Sequence, residues 1–217
     1  DKNSSFKAVE LSEKYKEIYA AIGVHPSEAK GEHIDLSWIS DLAKNDKVVA
    51  IGEIGLDHYW DKTFAEQQRQ LFIDQINIAN RINLPIIIHM REATKDTYQV
   101  LKEYKSNKIS GVMHCYSASK ESMQQFLDLG MYISMAGPVT YKNAKTPKEV
   151  AMAIPLDRLL IETDSPYLTP MPYRGKINES AYVKYVAQEI AALRDTTVEE
   201  IEKHTFENTC RLFNIKD

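Results

Sequence analysis

The sequence predicts an α/β protein built on parallel strands. Three observations carry this. Short apolar, β-branched runs recur along the 217 residues, and each ends on Gly, His, Glu or Asp. The runs end at positions 25, 53, 89, 114, 137 and 164, at intervals of 23 to 36 residues. Nearly unbroken apolar runs suit strands covered on both faces, and such an interval holds a loop, a helix and a return loop.

The elements follow in order. Residues 1–17 read as a helix, with Phe6, Val9, Leu11, Tyr15 and Ile18 at rough helical spacing. The strands are 18–25, 48–53, 85–89, 111–114, 132–137 and 159–164. Between them, 66–83 places Leu71, Phe72, Ile76 and Ala79 on one helical face. Helices are also expected over 96–104, 120–129 (with Gly130 as its stop) and 180–193. Thr197 followed by Glu200 has capping-box form and opens a short helix, with another expected near 206–212.

Six such units, with ionisable residues at the ends of five different strands, favour a TIM (β/α)₈ barrel over a doubly wound open sheet. A closed barrel aims that many strand ends at one centre, and no Gly-rich phosphate fingerprint follows any strand. A whole barrel has eight units in about 250 residues. Residues 1–217 therefore read as one barrel domain with its first two strands missing from the chain. The chain opens on Asp1 rather than Met. We expect the functional polypeptide to extend upstream by about 40 residues.

Composition narrows the function. The chain carries 27 Lys+Arg against 31 Asp+Glu, a formal charge of −4. That argues against coating nucleic acid by bulk charge, but not against a local grip on one phosphate. Mean hydropathy is −0.40, and no apolar run approaches the length of a membrane span. Two cysteines, Cys115 and Cys210, are too few for a disulfide framework. A reducing cytoplasm is the expected location.

Taken together, the strand-end residues are His25, Glu53, His89, His114 and Asp164. Each alone has an ordinary reading, as a hydrogen-bonded boundary residue, a helix cap or an ion-pair partner. Imidazoles and carboxylates in one cluster suit Zn²⁺, Mn²⁺, Fe²⁺ or Mg²⁺, and five at matched positions point to a metal site.

These residues lie in a series of motifs. They are Gly23-Val24-His25-Pro26, Gly52-Glu53-Ile54-Gly55-Leu56-Asp57, His89-Met90-Arg91-Glu92, His114-Cys115-Tyr116-Ser117, Glu162-Thr163-Asp164-Ser165-Pro166 and Pro172-Tyr173-Arg174-Gly175-Lys176-Ile177-Asn178-Glu179. In this order the series resembles the TatD-type metal-dependent deoxyribonucleases, which are TIM-barrel hydrolases. The family's opening Asp-x-His-x-His motif is not in the chain, and Ser180 stands where the family often has Pro.

The resemblance implies two divalent metal ions (Mg, Mn or Zn). Glu53 would be the shared carboxylate, with His89 and His114 ligands of the second metal. Asp164 would bind the first metal and orient or deprotonate the attacking water, so Glu53 and Asp164 are the catalytic pair. The first metal's two histidines would lie upstream of Asp1. His25 is assigned to phosphate or water contact, or to a structural role.

Other residues suit a phosphodiester. Arg91 follows His89 by two and could hold a phosphate oxygen bidentately. Arg174 and Lys176 sit in a Pro-flanked loop and read either as phosphate contacts or as solvated loop charges. Tyr59 and Trp60 either stack on a terminal base or pack the barrel rim. Tyr116 is a further candidate for substrate contact. No Gly-x-Ser-x-Gly elbow occurs, which disfavours a serine hydrolase.

The expected function is metal-dependent hydrolysis of DNA, as a 3′-5′ exonuclease on single-stranded or frayed ends. The expected partner is DNA; no membrane and no obligate protein partner are implied, and the protein is expected as a monomer. The alternatives are an amidohydrolase-like enzyme acting on a small-molecule C–N or C–O bond, and a non-catalytic barrel scaffold.

Overall fold

The computed structural model describes residues 1–30, 34–60 and 62–216. Its contacts gather into two compact units: residues 1–112 with 212–215, and a second built on 113–211.

In the first unit, parallel strands alternate with helices. The elements are α1 (Lys2–Lys14), β1 (Ala20–Ile22), α2 (Ser37–Leu42), β2 (Val48–Asp57), α3 (Ala65–Ile82), β3 (Ile86–Arg91) and α4 (Thr94–Tyr104). β2 pairs in parallel with β1 on one side and with β3 on the other. Ile22, Ile51, Ile54, Ile86 and Ile88 are fully buried, together with Phe72 and Ile76 of α3. Each such side chain contributes about 1.5–3 kcal/mol on leaving water.

Two buried glutamines on α3 carry the strand ends. Gln75 Oε1 accepts from Val24 N at 2.7 Å, and its Nε2 donates to Val24 O at 2.9 Å. One heptad earlier, Gln68 does the same for Asp57: Oε1 accepts from Asp57 N at 2.9 Å and Nε2 donates to Asp57 O at 3.0 Å. Residues seven apart share a helix face. One face of α3 therefore satisfies the backbone just before His25 and at the end of β2. An unpaired backbone group buried there would cost about 1–3 kcal/mol.

β1 is shorter than expected, and His25 lies beyond it at the start of a one-turn 3₁₀ helix, Pro26–Glu28. β2 is longer, running four residues past Glu53. Gly55 permits this. It lies opposite His89 of β3 at φ +144°, where a Cβ would come within 2.0 Å of His89 O. Only glycine fits that approach.

β4 (Gly111–Met113) runs across the boundary of the units. The second unit then has α5 (Lys120–Asp128), β5 (Met131–Met135), α6 (Lys145–Ala153), β6 (Leu159–Ile161), α7 (Val183–Leu193) and all but the last two residues of α8 (Val198–Phe213). β5 and β6 pair in parallel. Ser119 caps α5 by accepting from Ser122 N at 3.3 Å, and Gly130, at φ +77°, ends it.

The two C-terminal helices expected from the sequence are one helix. Thr197 Oγ1 accepts from Glu200 N at 3.2 Å, as its capping-box form requires. α8 then continues because Ile201, Thr205 and Asn208 form one buried stripe. Asn208 Nδ2 donates to Leu156 O and Leu159 O at 2.8 Å each. The stripe is partly polar, so periodicity of apolar residues does not reveal it. α2 and α6 are additions to the expected set; neither has a side-chain cap, and α6 carries Pro147 in its first turn. Among the described residues, no helix is long and apolar enough to cross a membrane.

Candidate metal centre

Each unit holds one histidine between two carboxylates. In the first unit, His89 Nδ1 lies 3.1 Å from Glu53 Oε1 and Nε2 lies 2.9 Å from Asp57 Oδ2. In the second, His114 Nδ1 lies 3.0 Å from both Glu162 oxygens, with its hydrogen bond to Oε2. His114 Nε2 lies 3.3 Å from Asp164 Oδ1.

Within each set the two carboxylates differ in exposure. The side chains of Glu53 and Asp164 are 30% exposed, those of Asp57 and Glu162 10% and 19%. A metal-binding imidazole commonly donates its second N–H to a carboxylate, which fixes the ring and its tautomer. The more buried Asp57 and Glu162 suit that orienting part. With Nε2–H donated to Asp57, His89 turns the Nδ1 lone pair toward Glu53. With Nδ1–H donated to Glu162, His114 turns Nε2 toward Asp164.

His25 joins the first set. One ligand atom from each of His25, Glu53 and His89 can be chosen so that all lie within 4.8 Å of one another, and the two imidazole centroids are 4.4 Å apart. His25 Nδ1 is taken up by Ser27, whose Oγ is at 2.8 Å and whose N–H donates to it at 3.2 Å. With Nδ1 accepting from Ser27 N, a neutral His25 carries its proton on Nε2. Of the three, Glu53 and His89 supply the lone pairs that suit a divalent ion, and His25 stands beside them as a hydrogen-bond donor. In the second set Glu162 Oε1 is buried without a hydrogen-bond partner, which leaves acceptor capacity beside His114.

The electrostatics of the two rings diverge. Burial lowers the pKa of His25, and the neighbouring His89 lowers it further, against the pull of Glu53 and Asp57. For His89 burial also opposes charge, but the hydrogen bonds and negative charges of Glu53 and Asp57 outweigh it, and the net shift is upward.

The other expected site residues fall in two groups. In the first unit, Arg91 ends β3 and is exposed. Its guanidinium sits 3.7 Å from the Tyr59 ring centroid and 5.4 Å from that of Trp60. In the second, Arg174 lies 4.2 Å over the Tyr141 ring and Lys176 5.4 Å over Tyr173. That loop is tied back by Asn178, whose Nδ2 donates to Thr163 O at 2.7 Å and Tyr167 O at 2.6 Å. Tyr116 is only 3% exposed, edge-on to Phe126, and its hydroxyl donates to Ser119 O at 2.9 Å. It lies in the packing around α5 rather than on an open surface.

Asp57 and Glu162 were not among the expected site residues. A signal for both was present. Both stand inside the motifs quoted above, four residues after Glu53 and two before Asp164, although strand alternation does not place them, because β2 shifts register between Ile51 and Ile54 and Asp164 lies past β6 at φ +57°.

The family model for TatD-related DNases matches residues 1–214. The chain is 51% identical over 216 residues to the "Uncharacterized metal-dependent hydrolase YabD" of Bacillus subtilis, spanning 99% of this chain and 85% of that protein. It is 44% identical to the "Uncharacterized metal-dependent hydrolase YcfH" of Escherichia coli K12, spanning 91% and 74%. Among solved structures, it superposes on YjjV, a TatD homologue from Escherichia coli K12, with a TM-score of 0.90 and 32% identity. That match covers 97% of this chain and 82% of the other. The barrel-type α/β fold read from the sequence is the fold of that homologue.

Proposed function

The chain belongs to the TatD-related DNase family and is a metal-dependent hydrolase; from that premise we propose that it cleaves phosphodiester bonds of DNA, working from the 3′ ends of single-stranded or frayed strands. Two divalent ions serve the reaction. Glu53, His89, His114 and Asp164 are the proposed ligands, with Glu53 shared between the ions and Asp57 and Glu162 fixing the two imidazoles.

One observation carries this reading above all. Arg91, exposed at the end of β3, stands two residues from His89, whose two nitrogens are both engaged by carboxylates. A metal ligand and a fork-shaped phosphate donor thus share one strand end. The substrate's charge meets cations there, although the chain as a whole is acidic.

A bound divalent ion supplies Lewis acidity at a phosphoryl oxygen and makes water a stronger acid. The protein's residues do the rest. Arg91 holds a phosphate oxygen. His25, whose pKa burial and His89 lower, presents Nε2–H to water or phosphate. Asp164 takes or positions the proton of the attacking water. Arg174 and Lys176 add positive charge beside the loop that follows β6.

The substrate class is tested by assaying the metal-loaded protein on single-stranded DNA and on a panel of cyclic amides and esters. Metal-dependent release of nucleotides from DNA is expected. Turnover of an amide or ester with none on DNA would replace this reading by that of a small-molecule hydrolase.

A further inference from the structure

We propose that a cavity beside the His25, Glu53 and His89 cluster is a subsite for one unpaired nucleobase, stacked on Trp60. The inference rests on the phosphodiesterase reading and adds to it a recognition element for single strands.

The cavity encloses about 350 Å³ and is lined by Ser27, Lys30, Asp57, Trp60, Phe64 and Gln68, among others. That is at the lower end of the range for small-molecule sites, about 300–1,000 Å³. It adjoins the cluster at two points. Ser27 binds His25 Nδ1, and Asp57 binds His89 Nε2. A group held in the cavity is therefore one or two residues from the reacting phosphate's proposed ligands.

Its aromatic lining residues are Trp60 and Phe64, and Tyr59 stands beside Trp60. Trp60 is 77% exposed and Tyr59 47%, and an indole left in water forfeits a large apolar area. The rings stand edge-to-face at 4.8 Å and 86°. Arg91 lies against both. A nucleotide brings a planar base for Trp60 and a phosphate for Lys30 or Arg91, the combination that single-strand binders use. A paired base is stacked within its duplex, so the subsite selects unpaired strand.

The platform is also held in register with the chemistry. Asp57 Oδ1 accepts from Tyr59 N at 2.9 Å while its Oδ2 faces His89. His58 N donates to Arg91 O at 2.9 Å. One carboxylate thus anchors both the cluster imidazole and the start of the aromatic pair. A wall that merely packed the rim would have no need of an exposed indole.

The test separates binding from cleavage. The protein has two tryptophans, and Trp38 is buried, so a base-stacking quench reports on Trp60. Metal-loaded wild type, Trp60→Ala and Trp60→Phe are titrated with a short single-stranded oligonucleotide and with its abasic counterpart, and cleavage is followed in parallel. Base-bearing DNA should quench wild type and abasic DNA should not. Trp60→Ala should raise KM for base-bearing DNA about 5- to 150-fold, with little change for abasic DNA, and Trp60→Phe should recover most of the loss. Cleavage with no quench and an unchanged KM in Trp60→Ala overturns the subsite and leaves the nuclease reading standing. Absence of any DNA cleavage by wild type overturns that reading, and the subsite with it.

Discussion

Asp57 Oδ2 lies 2.9 Å from His89 Nε2, so the last residue of β2 sets the orientation of an imidazole on the neighbouring strand. Gln68 fixes Asp57 from behind through both backbone polar groups. The ring that would hold metal is therefore positioned by α3 as much as by its own strand.

Asp57→Asn keeps the size of the side chain but removes its charge and disturbs the tautomer it enforces. We expect divalent-metal affinity to fall about 10- to 100-fold, with Glu162→Gln acting similarly on His114. Calorimetric metal titration checks both. Unchanged affinity in the two variants would reduce these carboxylates to packing.

Glu53→Gln should abolish hydrolysis while leaving unfolding free energy within about 1–2 kcal/mol of wild type, because Glu53 is a partly exposed strand residue and not part of the core. Turnover and denaturant melts on one preparation give both numbers. Wild-type turnover would remove Glu53 from the mechanism.

Gly55→Ala should be costly. The Cβ would meet His89 O at 2.0 Å in a backbone conformation at φ +144°. The strain alone is worth about 1–3 kcal/mol, and β2 must also shift from β3. A lowered denaturation midpoint with loss of metal binding is expected. A fully stable, metal-competent variant would mean that the strands part without harm.

The His89 shift fixes the direction of the pH response. Its folded pKa is raised, so in metal-free protein its contribution to stability is full below about pH 6.5 and is lost as pH rises through the folded value. Metal needs the unprotonated ring, so metal affinity should move the opposite way, falling about tenfold per pH unit below that value for each proton displaced. His25 shifts downward and contributes with opposite sign, so the comparison is made against His89→Gln. A pH-independent affinity would show that no proton leaves His89 on binding.

The sequence made the strand alternation legible because buried parallel strands are nearly unbroken apolar runs. The four proposed ligands were legible because each closes an apolar run, although β2 and β3 continue past Glu53 and His89 and β4 and β6 stop short of His114 and Asp164. Asp57 and Glu162 were not, because they act through contacts with His89 and His114, which are distant in sequence. The apolar run at Val48–Ile51 suggested that β2 stopped at Glu53, and only the passage of Gly55 beside His89 O lets it continue. α8 was divided because Thr205 and Asn208, though buried, are polar. Trp60 was visible as an aromatic, but whether it packed or protruded depended on its surroundings.

The central claim, that both imidazole–carboxylate sets serve a metal-dependent phosphodiesterase, is tested most directly by reloading chelator-stripped protein. Cleavage of end-labelled single-stranded DNA is measured against divalent ion bound per chain, for wild type, Glu53→Gln and Asp164→Asn. The rate should rise with occupancy in wild type, while both variants bind less ion and stay inactive. Full-rate cleavage by the stripped protein, or unimpaired cleavage by both variants, would contradict the account.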